Sequence, residues 1–321
     1  MDLGAIDIYR LSIMELRHLR YFVRVASELH FGRAAIQLGI SQPPLSQQIR
    51  LLETELGVQL FERSSRRVRL TVPGQLFLEE AKATLERADH AVTVTRRAAS
   101  GELGELTIGL SASALFVPIV ADALTAFRER YPDVHLDLTE RSVAVQREGV
   151  TAGTLDIGLV RSGRRLVLPP GVTATALAID RMFVAMPAGH RLAYSDDVID
   201  VADLADEPMV HYPYDSEGFQ QDLHRLFGSA GLRPRIRQEA HEMSTLLGLV
   251  SAGLGITVLP ASLRRLYINN LRYREIAGDH ALSRMWLIHN AARPRPTTLA
   301  FLEVILPHAS DLPAAPLLDA A

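Results

Sequence analysis

The most constraining stretch of this chain is a helix stop followed almost at once by a helix start. Gly39 closes one apolar-patterned segment, because glycine accepts the left-handed backbone that ends a helix, and Ser41 opens the next as an N-cap. Prolines at 43 and 44 fall in that second segment's first turn, where a missing N–H costs little. Upstream, Leu19, Phe22, Val23, Val25, Ala26 and Leu29 recur at helical spacing and predict an amphipathic helix, with Arg17, Arg20, Arg24 and Glu28 on its other faces. His30 and Phe31 interrupt it, and residues 32–38 predict a short second helix whose Ala34 and Ala35 allow close packing. The third helix, from Ser41 to about Leu56, buries Leu45, Ile49, Leu52 and Leu56 and leaves Gln42, Pro43, Ser46, Gln47 and Arg50 open. Three such helices around so tight a turn form a helix-turn-helix unit.

The open face carries groove-reading chemistry. The amides of Gln42 and Gln47 can pair bidentately with adenine, Ser46 can donate or accept, and Pro43 can pack on a thymine methyl. Each residue taken alone is as readily solvated helix surface, and only the helix-turn-helix setting favours the reader. Past Gly57, residues 61–70 alternate apolar anchors with arginines around a polar turn and predict a two-stranded wing. Arg63, Arg66 and Arg67 on that wing can reach phosphates or a narrow minor groove, and His30 and Arg33 complete the candidate DNA-contacting set. Charge is distributed to match. The whole chain carries -3, yet residues 14–72 hold nine arginines against five acids, a basic module on an acidic body.

The run from Ala34 to Ile49 (AAIQLGISQPPLSQQI), followed by Leu52-Glu53, Leu56-Gly57, Leu60-Phe61, Arg63, Leu70-Thr71 and Gly74, strongly resembles the LysR-type transcriptional regulators. Within that family the sequence is most similar to regulators of aromatic-compound breakdown, which share Gln-Pro-Pro-Leu-Ser in the recognition helix. Their third base reader is often arginine, whereas Gln47 stands here, so the preferred base pair at that point stays open. Members commonly begin Met-Glu-Leu-Arg-His-Leu, which makes Met14 a candidate start and residues 1–13 an upstream extension.

From Pro73 to about Ala99, Leu78, Ala81, Leu85, Ala88 and Val92 fall on alternating three- and four-residue steps, a heptad seam that asks for a partner helix. A long helix packed on its own domain is the other reading. The resemblance implies a dimerising linker, and palindromic half-sites with it. The glycines at 101 and 104 among polar residues mark a hinge. The expected organisation is thus a winged helix-turn-helix over 14–72, linker and hinge over 73–100, and an effector domain over 101–321. Within that last part, lobe I is expected at about 105–178 and 284–310, and lobe II at about 179–283.

The body alternates strand and helix as a parallel α/β sheet does, twice over, which predicts two lobes around a cleft. The fold class is therefore α plus α/β, with an effector domain resembling type 2 periplasmic binding proteins. Ligands in open α/β sheets sit beyond the carboxyl ends of strands. That rule selects Ser111, Ala112 and Ser113, which also precede a helix whose free N–H groups favour an anion, with Ser142 and Arg161 from the first lobe, and His211, Tyr212 and Tyr214 from the second, while Met243 and Ser244 open the helix at the cleft's other side. Arg161 could pair a carboxylate bidentately, so a small organic acid is the expected inducer. The competing assignments are a helix cap for the serines, a surface position for Arg161 and a buried pair for His211 with Tyr212.

The chain has no cysteine, which removes disulfides, thiolate metal sites and thiol redox sensing together. Its longest apolar stretch, around residues 246–263, is broken by three glycines and a proline, and the start lacks the order of a secretion signal. A cytoplasmic protein without cofactor or metal is expected. Phosphate-loop, zinc-helix and nucleophile-elbow motifs are missing, which leaves an α/β enzyme as the remote alternative and an inducer-independent DNA-binding repressor as the nearer one. The expected partners are double-stranded DNA, a carboxylate inducer, RNA polymerase and further copies of the chain as a dimer of dimers, with no membrane.

Overall fold

The computed structural model describes residues 14–63, 67–194, 197–213 and 217–309. Arg66, Tyr214 and residues 1–13, the expected upstream extension, lie outside the described residues. The chain divides into two compact units, residues 1–96 and 97–321.

The first unit begins with α1 (Leu16–Glu28), α2 (Phe31–Gln37) and α3 (Gln42–Leu56). Leu29 ends α1 in a left-handed backbone conformation, φ 47°, and is half exposed, so it does not continue the buried stripe as its spacing predicts. His30 sits at the N-cap of α2, where its Nδ1 accepts from the Arg33 N–H at 3.2 Å. Ser41 occupies the N-cap of α3 but makes no side-chain cap bond. The wing is the antiparallel pair β1 (Phe61–Arg63) and β2 (Val68–Leu70), with Phe61 opposite Leu70. The long helix α4 (Val72–Ala99) follows, about 42 Å at 1.5 Å per residue.

Phe22 holds these elements together. Its ring centroid lies 5.3 Å from that of Phe61 and 4.9 Å from that of Phe77, so α1, the wing and α4 meet on one buried aromatic side chain. The seam of α4 is consequently shared differently from its heptad reading. Ala81 is buried in this core, and Phe77, Leu78 and Leu85 pack against it. The first half of the seam is therefore filled within the chain, and Val72, Leu76 and Val92 are the large apolar residues α4 leaves exposed.

The second unit contains β3 (Gly104–Leu110), α5 (Pro118–Arg130), β4 (Val134–Glu140), α6 (Val143–Ala152), β5 (Ile157–Arg161) and β6 (Val172–Pro187). Next come β7 (Pro208–His211), α7 (Phe219–Ser229), β8 (Arg235–Glu239), α8 (Met243–Ser251), β9 (Thr257–Pro260), β10 (Leu271–Glu275), β11 (Leu282–Asn290) and α9 (Pro296–Ile305). The strand order is β10-β6-β11-β5-β3-β4, with β9 also on β6. In lobe I, β3 runs parallel to β4 and β5, as alternation predicts, and β11 closes antiparallel on β5.

Lobe II corrects the expectation of a second parallel sheet. Its β9 and β10 both pair antiparallel to β6, and only β7 with β8 is parallel. The 16-residue β6 serves both lobes: it pairs with β11 through Arg181 and with β9 and β10 from Met182 onward. Neither β10 nor α9 is foreseen from the sequence. Separate apolar clusters fill the lobes, one around Ile108, Phe127 and Phe301, another around Val184, Leu226 and Phe227. Among the described residues no helix is long and apolar enough to cross a membrane.

Gly74 lets α4 start against the wing. A Cβ there would lie 2.1 Å from the Leu60 carbonyl oxygen, a backbone atom that cannot rotate away. Gly74→Ala is therefore expected to lower the stability of the first unit by about 1–3 kcal/mol. Loss of helical circular dichroism on heating measures it, while emission from Trp286, the chain's single tryptophan, which lies in the second unit, stays unchanged.

Candidate functional site

The sequence pattern of α3 divides it by face. Leu45, Ile49 and Leu52 are fully buried, whereas Gln42, Pro43, Gln47 and Arg50 are exposed and Ser46 is half-buried. Gln42, Ser46 and Arg50 line a concavity of about 410 Å³ together with His30, Arg63 and Arg67. Pro43 and Gln47 lie on the same helix outside that concavity, and Arg33, on α2, is outside it too.

Among the expected DNA contacts, His30, Arg33 and Arg63 engage partners within the fold. His30 caps α2, as above. Arg33 donates to the Glu28 carbonyl at 2.7 Å and pairs with its carboxylate at 3.3 Å. Gln37 donates to that carboxylate at 2.7 Å and accepts from Arg24 at 2.7 Å, so α1 and α2 are tied by a polar chain. Arg63 is the clearest departure. Its Nη2 lies 2.7 Å from Oε2 of Glu53, and its guanidinium sits 4.9 Å from the Phe31 ring centroid. Glu53 is buried, and its Oε1 accepts from the N–H groups of Leu60 and Phe61 at 2.9 and 3.1 Å. One carboxylate thus fixes the first wing strand to the end of α3, with Arg63 as its counterion. Sequence reasoning missed Glu53, although its place one turn after Ile49 puts it on the buried face.

The second unit carries a cavity of about 590 Å³ between its lobes. Ala112, Phe116 and Glu140 line it from lobe I, and Tyr212, His241 to Ser244, Leu247 and Leu266 to Ile268 from lobe II. Of the expected effector residues it brings together Ala112, Tyr212 and Met243, with Ser244. The Tyr212 hydroxyl donates to Oε1 of Glu140 at 3.1 Å, across the cleft. Arg147 of α6 also pairs with Glu217, just before α7. Glu140 ends β4 and satisfies the strand-end rule that selected Ser142. The Leu266 to Ile268 segment follows a short 3-10 turn and carries no periodicity to reveal it.

The remaining candidates lie elsewhere. Arg161 is 1% exposed; its Nε donates to Ser113 Oγ at 2.7 Å, its Nη2 to Ser262 Oγ at 3.1 Å, and its Nη1 lies 2.9 Å from Asp180 Oδ2. Burial pushes its pKa down and Asp180 opposes the shift. Arg161 therefore joins β5, the turn after β3, β6 and the segment after β9 from inside, and does not line the cavity. Ser111 is buried with its hydroxyl unpartnered, and its N–H goes to the Leu159 carbonyl. A 3-10 turn, Ala114–Phe116, separates these serines from α5, so they do not sit at that helix's N-terminus as expected. Ser142 holds the N-cap position of α6 without a side-chain bond.

His211 is buried with Nε2 unpartnered. Burial first, then the neighbouring His224, push its pKa down, and Glu239 opposes them. A histidine whose folded pKa lies below its unfolded value takes up a proton on unfolding. Stability is then retained above the unfolded pKa of about 6.5 and lost as pH falls below it. His211→Phe is expected to flatten the decline between about pH 7 and 5 by up to one proton. Urea unfolding at several pH values reads the slope.

Removing the Glu53 carboxylate is expected to cost more. Glu53→Ala leaves two backbone N–H groups and a half-buried guanidinium without their acceptor, a loss of about 3–5 kcal/mol. Denaturant unfolding of the full chain should resolve it in the first unit alone.

Comparison with known proteins identifies both parts of the chain. The family model for the "Bacterial regulatory helix-turn-helix protein, lysR family" matches residues 16–75, and that for the "LysR substrate binding domain" matches residues 99–310. The chain is 44% identical over 276 residues to YnfL, an uncharacterised HTH-type transcriptional regulator of Escherichia coli, covering 86% of this chain and 92% of that protein. It is 37% identical over 276 residues to the HTH-type transcriptional regulator BenM of Acinetobacter baylyi, covering 85% and 89%. A crystal structure of full-length CbnR complexed with its target DNA is similar at TM-score 0.79 and 30% identity, over 92% of this chain and all of that one.

Proposed function

The chain belongs to the LysR family of bacterial transcriptional regulators, DNA-binding proteins with an effector-binding domain, and we propose that its α3 reads operator bases while its inter-lobe cavity binds the inducer. The family and these relatives are regulators, not enzymes. The observation that carries the reading is the sided α3, whose buried leucine-isoleucine stripe leaves Gln42, Pro43 and Gln47 exposed and Ser46 half-buried on the opposite face.

In this proposal Gln42 and Gln47 pair with adenine edges, Ser46 supplies a further hydrogen bond, and Pro43 meets a thymine methyl. Arg50 and Arg67 neutralise flanking phosphates. His30 holds the start of α2 against the same concavity. Arg33 and Arg63 act through Glu28 and Glu53, as supports of that surface before contacts of it. The complex of CbnR with target DNA supports the placement by analogy of fold.

The effector is a small organic molecule in the inter-lobe cavity. The charged side chains lining that cavity include Glu140 and Glu242, while Arg161 is committed to Asp180. A carboxylate inducer would therefore lie at Met243 and Ser244, where the first turn of α8 presents free N–H groups. Inducer binding shifts the lobes, and a dimer of dimers transmits the shift to operator DNA and RNA polymerase in the bacterial cytoplasm.

Replacing Gln42, Ser46 and Gln47 together by alanine is expected to reduce operator discrimination by at least about tenfold, since a single bidentate base contact is worth about 1–3 kcal/mol. Competition binding against random duplex at fixed salt reads it, and unchanged selectivity in a folded protein would refute the reading. Arg67→Ala should instead weaken all duplexes alike and lower the salt slope by about one. For the effector, a metabolite at about 100 times its Kd should add about 2.7 kcal/mol of stability. A thermal-shift screen detects it, and Tyr212→Ala should remove it.

A further inference from the structure

A second cavity lies at the other end of lobe I. Its volume is about 290 Å³, and it is set between the end of α6, the start of β5 and the turn that leads from β11 into α9. The inter-lobe cavity, by contrast, uses Ala112 and Glu140, at the carboxyl ends of β3 and β4.

Its walls are cationic on balance. Arg293 and Arg295 both line it, against the one carboxylate of Asp156. Asp156 is buried and already engaged: its Oδ2 accepts from the N–H and the hydroxyl of Thr107, each at 2.9 Å, and its Oδ1 lies 3.4 Å from Arg295 Nε. Arg293 is exposed, with no carboxylate at ion-pair distance among the described residues. Asn290 Oδ1 accepts from the N–H groups of Ala292 and Arg293 at 3.1 and 3.2 Å, which fixes the turn carrying Arg293.

Two further features point to an occupant. The ten-residue α9 begins here with Arg295 at its N-cap, and no side chain caps it, so first-turn N–H groups are left without a side-chain acceptor. Thr298, in that first turn, lines the cavity. It is 2% exposed, and its hydroxyl has no hydrogen-bond partner. A buried hydroxyl without a partner carries a free-energy cost that a bound acceptor removes. A helix N-terminus, an unpartnered buried donor and two guanidinium groups together select a small anion with several acceptor atoms.

We propose that this cavity is a second ligand site, specific for a small oxyanion of the phosphate or short-carboxylate kind. Its position gives it a regulatory sense. The Thr297 hydroxyl donates to the Glu105 carbonyl at 3.0 Å, and Gly101 lies so close to Pro296 that a Cβ there would come within 2.4 Å of its carbonyl oxygen. The turn of helix that would hold the anion is therefore the one packed against the hinge segment at 101–105. An occupant stiffens that contact without entering the inter-lobe cleft.

The test titrates the full-length protein with inorganic phosphate, and separately with acetate, at constant ionic strength set by chloride. Thermal stability is the readout, for wild type, Arg293→Gln and Thr298→Val. Because phosphate also meets the arginines of the DNA-reading face, the difference between wild type and these variants carries the result. Wild type is expected to show a saturable shift with one of the two anions, and each variant should weaken the midpoint about tenfold, as losing a charged or charge-assisted hydrogen bond does. Saturation by phosphate alone identifies a phosphate-like ligand, and saturation by acetate identifies a carboxylate. Without added anion, Thr298→Val should be at least as stable as wild type, since it removes an unpartnered hydroxyl. Equal midpoints in all three proteins, a shift no larger than chloride gives, or marked destabilisation by Thr298→Val alone would each overturn the proposal.

Discussion

A full charge survives in a protein interior only where partners reach it from several directions, and Glu53 organises the DNA-reading unit on that condition. Its carboxylate takes two backbone N–H groups from the first wing strand and the guanidinium of Arg63. The alternative, a buried carboxylate without partners, is costly enough that helix end and wing are bound to one geometry. The aromatic contact of Phe22 with Phe61 and Phe77 completes the lock by joining the wing to α1 and α4. The exposed amides of α3 are consequently presented by a rigid surface, which base reading requires because a bidentate pair tolerates little error in angle.

Arg161 plays the corresponding part in the body, with the sign reversed. Three groups from different segments, Ser113, Asp180 and Ser262, meet its guanidinium inside the fold. Asp180 lies on β6, one residue before the strand's pairing passes from lobe I toward lobe II. The cation therefore sits where the two lobes share a strand, and it stiffens the junction about which any closure of the cleft must occur. That position removes it from direct duty toward a ligand.

How much of this could be read from residue order follows from the range of the forces involved. Gly39, Ser41 and the prolines at 43 and 44 act through their own backbone, so the helix-turn-helix was legible to within a residue or two. The alternating strands of lobe I were legible for the same reason. The antiparallel wrapping of β9 and β10 on β6 was not, because strand direction depends on connections rather than on local pattern. Helix α9 was hidden by its largely apolar sequence, whose few polar residues, Thr297, Thr298 and Glu303, mark no clear amphipathic period, and by the prolines at 294 and 296 around its start. Among site residues, Ala112 and Tyr212 follow from the strand-end rule, and Met243 from its place at the start of a helix. Arg161 does not, since its partners stand 48, 19 and 101 positions away and nothing in their spacing announces the contact.

The two cavities that lobe I borders differ in what they ask of a ligand, and that difference follows from the direction of its parallel strands. At the carboxyl ends of β3 and β4 the chain turns outward into loops that face lobe II, and a cleft with walls from both lobes results. At the opposite end the walls belong to a single lobe: β3 and the starts of β5 and α9 are tied through Thr107, Asp156 and Arg295, Arg295 also reaches the Gly153 carbonyl at the end of α6, and the space between them is fixed. A ligand in the first place shifts an equilibrium between lobe arrangements by its preference for one of them. A ligand in the second has no such choice of walls, and acts by stiffening the α9 turn that bears on the hinge. One domain can thus answer to two chemistries through two kinds of work, closure at one end of its sheet and reinforcement at the other.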